Sequence, residues 1–431
     1  MFIDFPEVDI AIQGIEEIKF PKMVKIRQKY DASRIDDLPA WVAKEMRNNL
    51  PDRGSYPGKK ICITAGSRGI PYLEIIIRAV CDELKNWGAE PFIVPAMGSH
   101  GGAAAEGQRQ YLAAYNITEE SMGVPILSSM EVVKYGKLED GTPLYCDKYA
   151  FESDGIVVLN KVKPHAEFRG KHESGLAKMM AIGLANHQGA SVLHMKGFAA
   201  FADIIPRVCE VFMQRVPVAF GVGIVQNAYN EISELEVMPK TKIMERDAAL
   251  LEIARVKTAR FKVSQIDVLI IDEIGKSISG NGHDPNITGR NDSGLPGFKD
   301  DLDINKFFIR GLAEGADRNG SGISSADITT RRCLRSIDWD KTWTNVITST
   351  QLNGGRIPLY MNNDRDALLV AIRTLNNVDF DQVKVVRIKN TLCMSEIEVS
   401  ENYIDELKVR DDVEIISAPY EIQFDKEGFL H

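Results

Sequence analysis

The chain has 431 residues, 44% of them hydrophobic and 26% charged, a composition typical of a folded globular protein. Its net charge of −9 does not indicate a nucleic-acid or anionic-membrane partner. No apolar run approaches the roughly 20 residues that span a bilayer, and the acidic N-terminus lacks the basic start of a signal peptide. The six scattered cysteines form no C-x-x-C pair, which favours reduced thiols. We therefore expect a cytoplasmic protein.

The first elements in chain order are a strand in MVKIRQKY and a helix in DDLPAWVAKEMRNNL. A βαβ unit then follows, with strand 60–65, helix 71–86 and strand 91–96. Its helix has apolar residues at helical spacing and Pro71 at its start. Its strands are short apolar runs, as in a parallel sheet covered on both faces. Open α/β sheets bind ligands in the loops that follow such strands.

The next elements are a helix near 104–115, a strand at 155–160, and a helix that starts near Ser174 and breaks at Gly189. The segments VPVAFGVGIVQN and ISELEVMP are predicted strands, and KIMERDAALLEIARVKTA is an amphipathic helix. The second half begins again with a strand in IDVLIIDEIGK. We predict an α/β fold of two α/β domains with mainly parallel sheets and the active site in the cleft between them. Residues 1–262 would bind the cofactor and carry catalysis, and residues 263–431 would close over the site.

Three of the seven histidines stand out, because each follows an apolar segment or a glycine break. They are His100, in the glycine turn of VPAMGSHGGAAAEGQ, His165 and His194. His172 and His187 lie beside a polar helix end, so we expect them to be solvated. One such histidine is more often a hydrogen-bonded structural residue than a functional one. Three of them, with an arginine and a lysine in similar contexts, favour a site.

The arginine is Arg68 in TAGSRGIP, at the end of strand 60–65, where a guanidinium can clamp a carboxylate or phosphate. The lysine is Lys178 in SGLAK, near a helix start with Ser174 as the predicted N-cap. The helix dipole disfavours a cation there, and the neighbours are apolar, which favours a neutral amine able to form a covalent bond. A surface lysine is an equally open alternative. Backbone N–H groups at Ser174 and Gly175 are placed to bind a phosphate.

The segments PAMGSHGG, KPHAEF, SGLAK and VLH together resemble the nickel-dependent lactate racemase family. Members of that family hold a nickel-pincer nucleotide, a nicotinic-acid-derived mononucleotide with two sulfur-bearing arms around nickel. The match covers mainly residues 60–200. The resemblance implies that His100 and His165 are the acid/base pair and that Lys178 anchors the cofactor covalently. It also implies that His194 is the nickel ligand and that Arg68 is the family's arginine at the strand end.

The implied activity is inversion of the C2 carbon of a 2-hydroxy acid. Removing a hydride while a base takes the hydroxyl proton avoids a carbanion beside the carboxylate, and the planar keto acid can take the hydride back on its other face. Two faces require two bases, and imidazole titrates near neutral pH. A cation must also hold the carboxylate, for which Arg68 fits and Lys276 is a weaker candidate. Sulfur and imidazole ligands in a planar arrangement suit nickel.

The sequence departs from the lactate enzymes in RGKHE, between His165 and Lys178, and in EIGKSISGNGHDPN. These departures favour a sugar acid or another larger hydroxy acid as the substrate. The polar loop 276–293 could hydrogen-bond extra hydroxyls, although a structural role is equally open. Its candidate side chains are Asn281, Asp284, Asn286 and Arg290.

Two other classes of function stay open. A metal-dependent hydrolase could use His100, His165 and His194, although the sequence has no H-E-x-x-H cluster. A non-catalytic protein could bind an anionic ligand at helix N-termini. If the protein is a racemase, the expected partners are the hydroxy acid and the proteins that make the cofactor. A homo-oligomer is compatible with this sequence, and neither a nucleic acid nor a membrane is expected as a partner.

Overall fold

The computed structural model describes residues 1–11, 13–50, 52–66, 69–299 and 302–431. Its contacts divide the chain into a central unit, Ala32–Lys257, and a flanking unit that combines Met1–Asp31 with Thr258–His431. We predicted that the first residues belong to an N-terminal domain, residues 1–262. They lie in the flanking unit instead, because Met23–Gln28 pairs with two strands close to the C-terminus. The functions assigned to the two domains, and the cleft between them, stay predictions.

Strands alternate with helices through most of the described chain. The strands are β1 (Met23–Gln28), β2 (Lys60–Ala65), β3 (Glu90–Pro95), β4 (Val132–Lys137), β5 (Pro143–Asp147), β6 (Gly155–Lys161), β7 (Val218–Gln226), β8 (Ile232–Pro239), β9 (Gln265–Ile271), β10 (Asp303–Ile309), β11 (Ile328–Thr330), β12 (Leu359–Met361), β13 (Val385–Ile388), β14 (Glu396–Ser400) and β15 (Val413–Ile415). The helices are α1 (Leu38–Asn49), α2 (Leu73–Asn86), α3 (Ala105–Ala113), α4 (Glu119–Met122), α5 (Lys148–Phe151), α6 (Leu176–Lys178), α7 (Asn186–His194), α8 (Phe201–Arg215), α9 (Ile243–Lys257), α10 (Pro285–Thr288), α11 (Arg331–Ser336), α12 (Trp339–Thr348), α13 (Asp364–Arg373) and α14 (Ile404–Leu407).

The central unit is built around a sheet with the strand order β3-β2-β6-β7-β8. The first four strands are mutually parallel, and β8 returns antiparallel to β7. Strand β2 is buried along nearly its whole length, because its sequence KICITA is apolar on both faces. The carboxyl ends of β3, β2 and β6 therefore meet at one edge of this sheet, where their loops begin.

Helix α2 covers one face of the central sheet. The five apolar residues that predicted this helix are all buried in the core of the unit: Leu73, Ile76, Ile77, Val80 and Leu84. The helix begins at Leu73, two residues after the predicted start. Tyr72 precedes it in the left-handed conformation, with φ of 61°, so Pro71 lies outside the helix.

The flanking unit contains a larger sheet with the order β12-β11-β10-β9-β13-β14-β1-β15. Its first five strands are parallel, and the last three continue antiparallel. Helix α13 packs its apolar face into the core on this sheet. The predicted fold class, α/β with mainly parallel sheets, is confirmed. Across the described ranges, no helix is both long and apolar enough to cross a bilayer.

Candidate functional site

Two of the predicted site residues, His100 and His165, lie in loops at the carboxyl edge of the central sheet. The turn with His100 follows β3, and the loop with His165 follows β6. Strand β2 runs between these two strands. Arg68 follows β2 in the sequence but lies outside the described residues, so its predicted role stays a prediction.

The turn after β3 is closely packed around its glycines. Gly98 and Gly101 have φ of 59° and 66°, which favours glycine at both positions. A Cβ on Gly101 would lie 2.7 Å from the backbone nitrogen of Gln108, and the buried Gln108 amide donates to the carbonyl oxygens of Gly98 and His100. The glycines are therefore required by the fold of the turn itself, which leaves His100 exposed at its tip.

His165 lies in a loop that is closed at its base by backbone hydrogen bonds in both directions between Lys163 and Ser174. The buried carboxylate of Glu173 holds the interior of this loop. It accepts from the backbone N–H of His165 at 2.7 Å and from the guanidinium of Arg255 at 2.6 Å. His165 itself is only 5% exposed. The backbone of His165 is thus held by a charge pair that reaches across 82 positions of the sequence.

The His165 ring contacts Lys178 directly, with 2.5 Å between Nε2 and Nζ. The other ring nitrogen, Nδ1, accepts the backbone N–H of Glu167 at 3.0 Å, so it carries no proton. A neutral imidazole then has its proton on Nε2 and donates it towards Nζ. An ammonium group has no lone pair to accept this bond. The geometry therefore favours a neutral, nucleophilic amine at Lys178.

The segment that carries Lys178 is short and irregular. Helix α6 consists of one turn that ends at Lys178, and a π-helical segment, Met179–Gly183, follows it. Such π turns occur frequently at functional sites. Helix α7 then runs through Gly189 without interruption, so the predicted break at Gly189 is wrong. The chain turns earlier, at Leu184 and Ala185.

The start of α6 also differs from the prediction. Gly175, and not the predicted Ser174, is the N-cap. The backbone N–H of Leu176 donates to the carboxylate of Asp247, which comes from α9, at 2.6 Å. A protein carboxylate therefore occupies the position that we predicted for a phosphate at Ser174 and Gly175, and phosphate binding there stays a prediction.

His172 was predicted to be solvated, and this prediction is wrong. The residue is 3% exposed, and its Nδ1 lies 2.8 Å from the other carboxylate oxygen of Asp247. His187 is exposed, as predicted. The difference arises because the loop after β6 folds under α9, which brings a buried acid to His172.

His194 ends α7 and is half-buried in an aromatic cluster. Its ring centroid lies 5.6 Å from that of Phe198 and 5.2 Å from that of Phe201. Phe198 also packs against the ring of His165, at 5.7 Å. One phenylalanine thus lies between the two predicted functional histidines, and the cluster brings His165, Lys178 and His194 into one region of the central unit.

The site residue predicted in the second half, Lys276, belongs to the flanking unit. It is exposed, and its amine donates to the side-chain oxygen of Asn345. In the loop 276–293, Arg290 lies over the ring of Phe307 at 3.9 Å and also pairs with Asp327. Asp284 caps the short helix α10.

Sequence reasoning missed Asp247, Glu173 and Phe198. One signal was available for Asp247: it stands on the apolar face of α9, where the other inward residues are Ile243, Leu250, Leu251 and Ala254. A single acid at such a position indicates a buried polar partner. Glu173 carries no comparable signal, because its partner Arg255 is remote in the sequence.

Comparison with known proteins gives two findings. Residues 50–201 match the family model of the lactate racemase N-terminal domain. The resemblance predicted over residues 60–200 is confirmed for this domain of the family. Among solved structures, the lactate racemase apoprotein from Thermoanaerobacterium thermosaccharolyticum aligns with a TM-score of 0.51 at 16% identity. The alignment covers 86% of this chain and 99% of that chain, so the two share a fold. The search of curated proteins found no match.

The residues at the racemase-like site fit a cofactor that brings its own metal ligands. Lys178 offers an amine in the nucleophilic state, and His194 offers an imidazole among aromatic rings. Within the described residues, no three His, Cys, Asp or Glu side chains are grouped to bind a metal by themselves.

Proposed function

We propose that the protein is a racemase or epimerase that inverts the C2 carbon of a 2-hydroxy acid. Lys178 would hold a nickel-pincer nucleotide covalently, and His194 would be the protein ligand of its nickel. When bound, this group supplies a centre that accepts and returns a hydride. The observation that carries the proposal is the contact of Lys178 Nζ with His165 Nε2, inside the segment that matches a lactate racemase domain.

His165 would act as one of the two acid/base groups. Its Nδ1 is engaged by the backbone of Glu167, so proton exchange is left to Nε2, the nitrogen that faces Lys178. Once the amine of Lys178 is consumed in a covalent bond, Nε2 becomes available to a substrate hydroxyl. The ring cannot rotate freely, because Phe168 packs on it with 4.5 Å between the centroids. A fixed ring suits an acid/base group. With its proton on Nε2 the ring can donate to the substrate; to take a hydroxyl proton there it must first carry its proton on Nδ1, which requires release of the Glu167 N–H.

His100 would act on the opposite face of the substrate. Its turn is joined to the segment after Lys178 by a hydrogen bond from Gly98 N to Gly183 O at 3.0 Å. The imidazole of His100 is exposed and therefore open to a ligand. Arg68 would hold the substrate carboxylate, with Lys276 as the weaker candidate. The departures from the lactate enzymes favour a sugar acid or another larger hydroxy acid as the substrate.

The first experiment is to determine the mass of the peptide that carries Lys178, in protein isolated from its native host. We expect an adduct of a sulfur-containing pyridine mononucleotide on Lys178. The same preparation should exchange the C2 configuration of at least one hydroxy acid in a panel of lactate, malate and aldonic acids. Lys178→Arg is the matched control and should show neither adduct nor exchange. An unmodified Lys178 in a host that makes the cofactor would refute the proposal.

A further inference from the structure

The buried carboxylate of Asp247 contacts the segment that leads into the short helix α6. Asp247 comes from the inward face of α9 and is 1% exposed. One of its oxygens accepts the backbone N–H of Leu176 at 2.6 Å, and the other lies 2.8 Å from Nδ1 of His172. Both oxygens are therefore committed to the segment that leads into α6, and Lys178 lies only two residues beyond Leu176.

The sequence around Lys178 is adapted to this carboxylate. A Cβ on Gly175 would lie 2.2 Å from Oδ1 of Asp247, so only glycine leaves room for the acid. The amide of Asn160 donates to the carbonyl oxygen of Gly175 at 2.9 Å, which fixes the same peptide from the strand side. The thiol of Cys209 donates to the carbonyl oxygen of Ala177 at 3.2 Å. The single turn of α6 is thus held by three other elements.

A one-turn helix has almost no stability of its own. Its first N–H groups have no partner within the helix, and a buried N–H without a partner is costly. Asp247 satisfies the N–H of Leu176 from outside. This bond fixes the direction in which the turn begins, and the direction of the turn determines where the amine of Lys178 points.

We infer that Asp247 is a positioning residue for Lys178: its carboxylate, oriented by His172, holds the start of α6 so that the Lys178 amine meets Nε2 of His165. The inference rests on the proposed function, because it concerns the cofactor anchor. It assigns to Asp247 no contact with substrate or cofactor. It also explains why residue 175, in SGLAK, is a glycine: a side chain there would collide with the carboxylate of Asp247.

The test measures the reactivity of Lys178 in the full chain without cofactor or substrate. The protein is treated at pH 7 with a trace of isotopically labelled acetic anhydride, and the labelling rate of each lysine is determined from peptide masses. A neutral amine is acetylated much faster than a solvated lysine, which is almost fully protonated at this pH. We expect Asp247→Ala to slow the labelling of Lys178 at least about tenfold relative to the other lysines. We expect Asp247→Asn to stay within about threefold of the wild type, because its amide oxygen can still accept the N–H of Leu176.

Two further variants separate positioning from general loss of structure. Gly175→Ala keeps the acid but displaces it, and it should slow Lys178 labelling in the same way. It also serves as the test if Asp247→Ala does not fold. Asp267→Asn changes another buried acid, which accepts a backbone N–H from Lys384 at 2.8 Å in the flanking unit. It should leave Lys178 labelling unchanged.

The inference is overturned if Lys178 keeps its relative labelling rate in folded Asp247→Ala or Gly175→Ala, or if Asp247→Asn is as slow as the alanine variant. This result is independent of the cofactor. If Lys178 carries no adduct in the native host while the labelling pattern holds, the proposed function fails and the positioning role remains. If the adduct is present and the labelling pattern does not hold, only the positioning role fails.

Discussion

Two polar loops follow strands at the carboxyl edges of parallel sheets, one in each unit, and each contains a buried histidine. Residues 163–174 follow β6 and contain His165; residues 276–293 follow β9 and contain His283. In sequence the second loop is the longer and the more glycine-rich, and a substrate-binding role and a structural role were equally open for it. The structure shows how the side chains of each loop are held.

The difference between the loops lies in where their polar groups find partners. In the loop 276–293, Nδ1 of His283 pairs with the hydroxyl of Thr288 only five residues away, and Asp284 caps the helix that begins next to it. In the loop 163–174, the partners come from distant elements: Arg255 for Glu173, and Lys178 for His165. The ring of His283 is thus held from within its own loop, whereas the ring of His165 meets an amine from another element. The second arrangement suits chemistry.

The largest expected contrast is between the two histidines. We expect His165→Ala to lower kcat/KM for the hydroxy acid about 10²–10⁴-fold, the usual effect of removing an acid/base group. His283→Ala should keep kcat/KM within about twofold but lower the melting temperature, because it loses a buried hydrogen bond and leaves a cavity. Both are measured on cofactor-loaded protein. Equal losses of activity in the two variants would remove the distinction between the loops.

The second contrast concerns the charges that hold each loop. Glu173 is wholly buried, and Glu173→Gln leaves Arg255 with only the exposed Glu252 as a charge partner, so we expect a loss of about 3 kcal/mol in the free energy of unfolding. Arg290 pairs with an acid, Asp327, that is 37% exposed and that water can solvate. Arg290→Met should therefore cost only about 1–2 kcal/mol.

Urea unfolding of both variants at pH 7 gives these values, provided that each unit is followed by its own tryptophans. Trp87 reports on the central unit and Trp339 on the flanking unit. If Arg290→Met destabilises its unit more than Glu173→Gln destabilises the other, long-range pairing is not what distinguishes the His165 loop.

A third contrast is the response of the flanking unit to acid. Burial lowers the pKa of His283 to about 4; the nearby Asp284 opposes this shift and Arg290 adds to it. The ordinary pKa of histidine is near 6.5. Below that pH, His283 takes up a proton in the unfolded chain but stays neutral in the folded protein. The contribution of neutral His283 is therefore fully present above pH 6.5 and is lost as the pH falls towards 4.

The slope is about 1.4 kcal/mol per pH unit. His283→Asn keeps a donor towards Thr288 and cannot titrate. We expect its free energy of unfolding, relative to that of the wild type, to improve by about 1.4 kcal/mol between pH 7.5 and pH 5.5. Urea unfolding monitored by the fluorescence of Trp339 measures this difference. A constant difference between the two proteins over this range would contradict a buried, neutral His283.

Patterns that depend on neighbouring residues were predictable from the sequence. Strand β2 and helix α2 have regular apolar periods, so their buried faces were predicted residue by residue. The loops that carry His100 and His165 followed from their places after apolar strands. The arrangement inside the site was less accessible, because the partner of Lys178 and the partner of His172 come from other elements. A π-helical segment such as Met179–Gly183 has no local signature either.

The smallest expected effect on stability concerns Lys276. It is exposed and its amine donates to the side chain of Asn345, so Lys276→Ala should change the free energy of unfolding by less than about 0.5 kcal/mol. If Lys276 holds the substrate carboxylate, the loss of a charge-assisted hydrogen bond should raise KM about tenfold or more. Asn345→Ala is the matched control, because it removes the partner and leaves the cation, and it should keep KM close to the wild-type value. An unchanged KM in Lys276→Ala would remove this residue from the site. The loop 276–293 would then have a structural role, in contrast to the functional role proposed for the His165 loop.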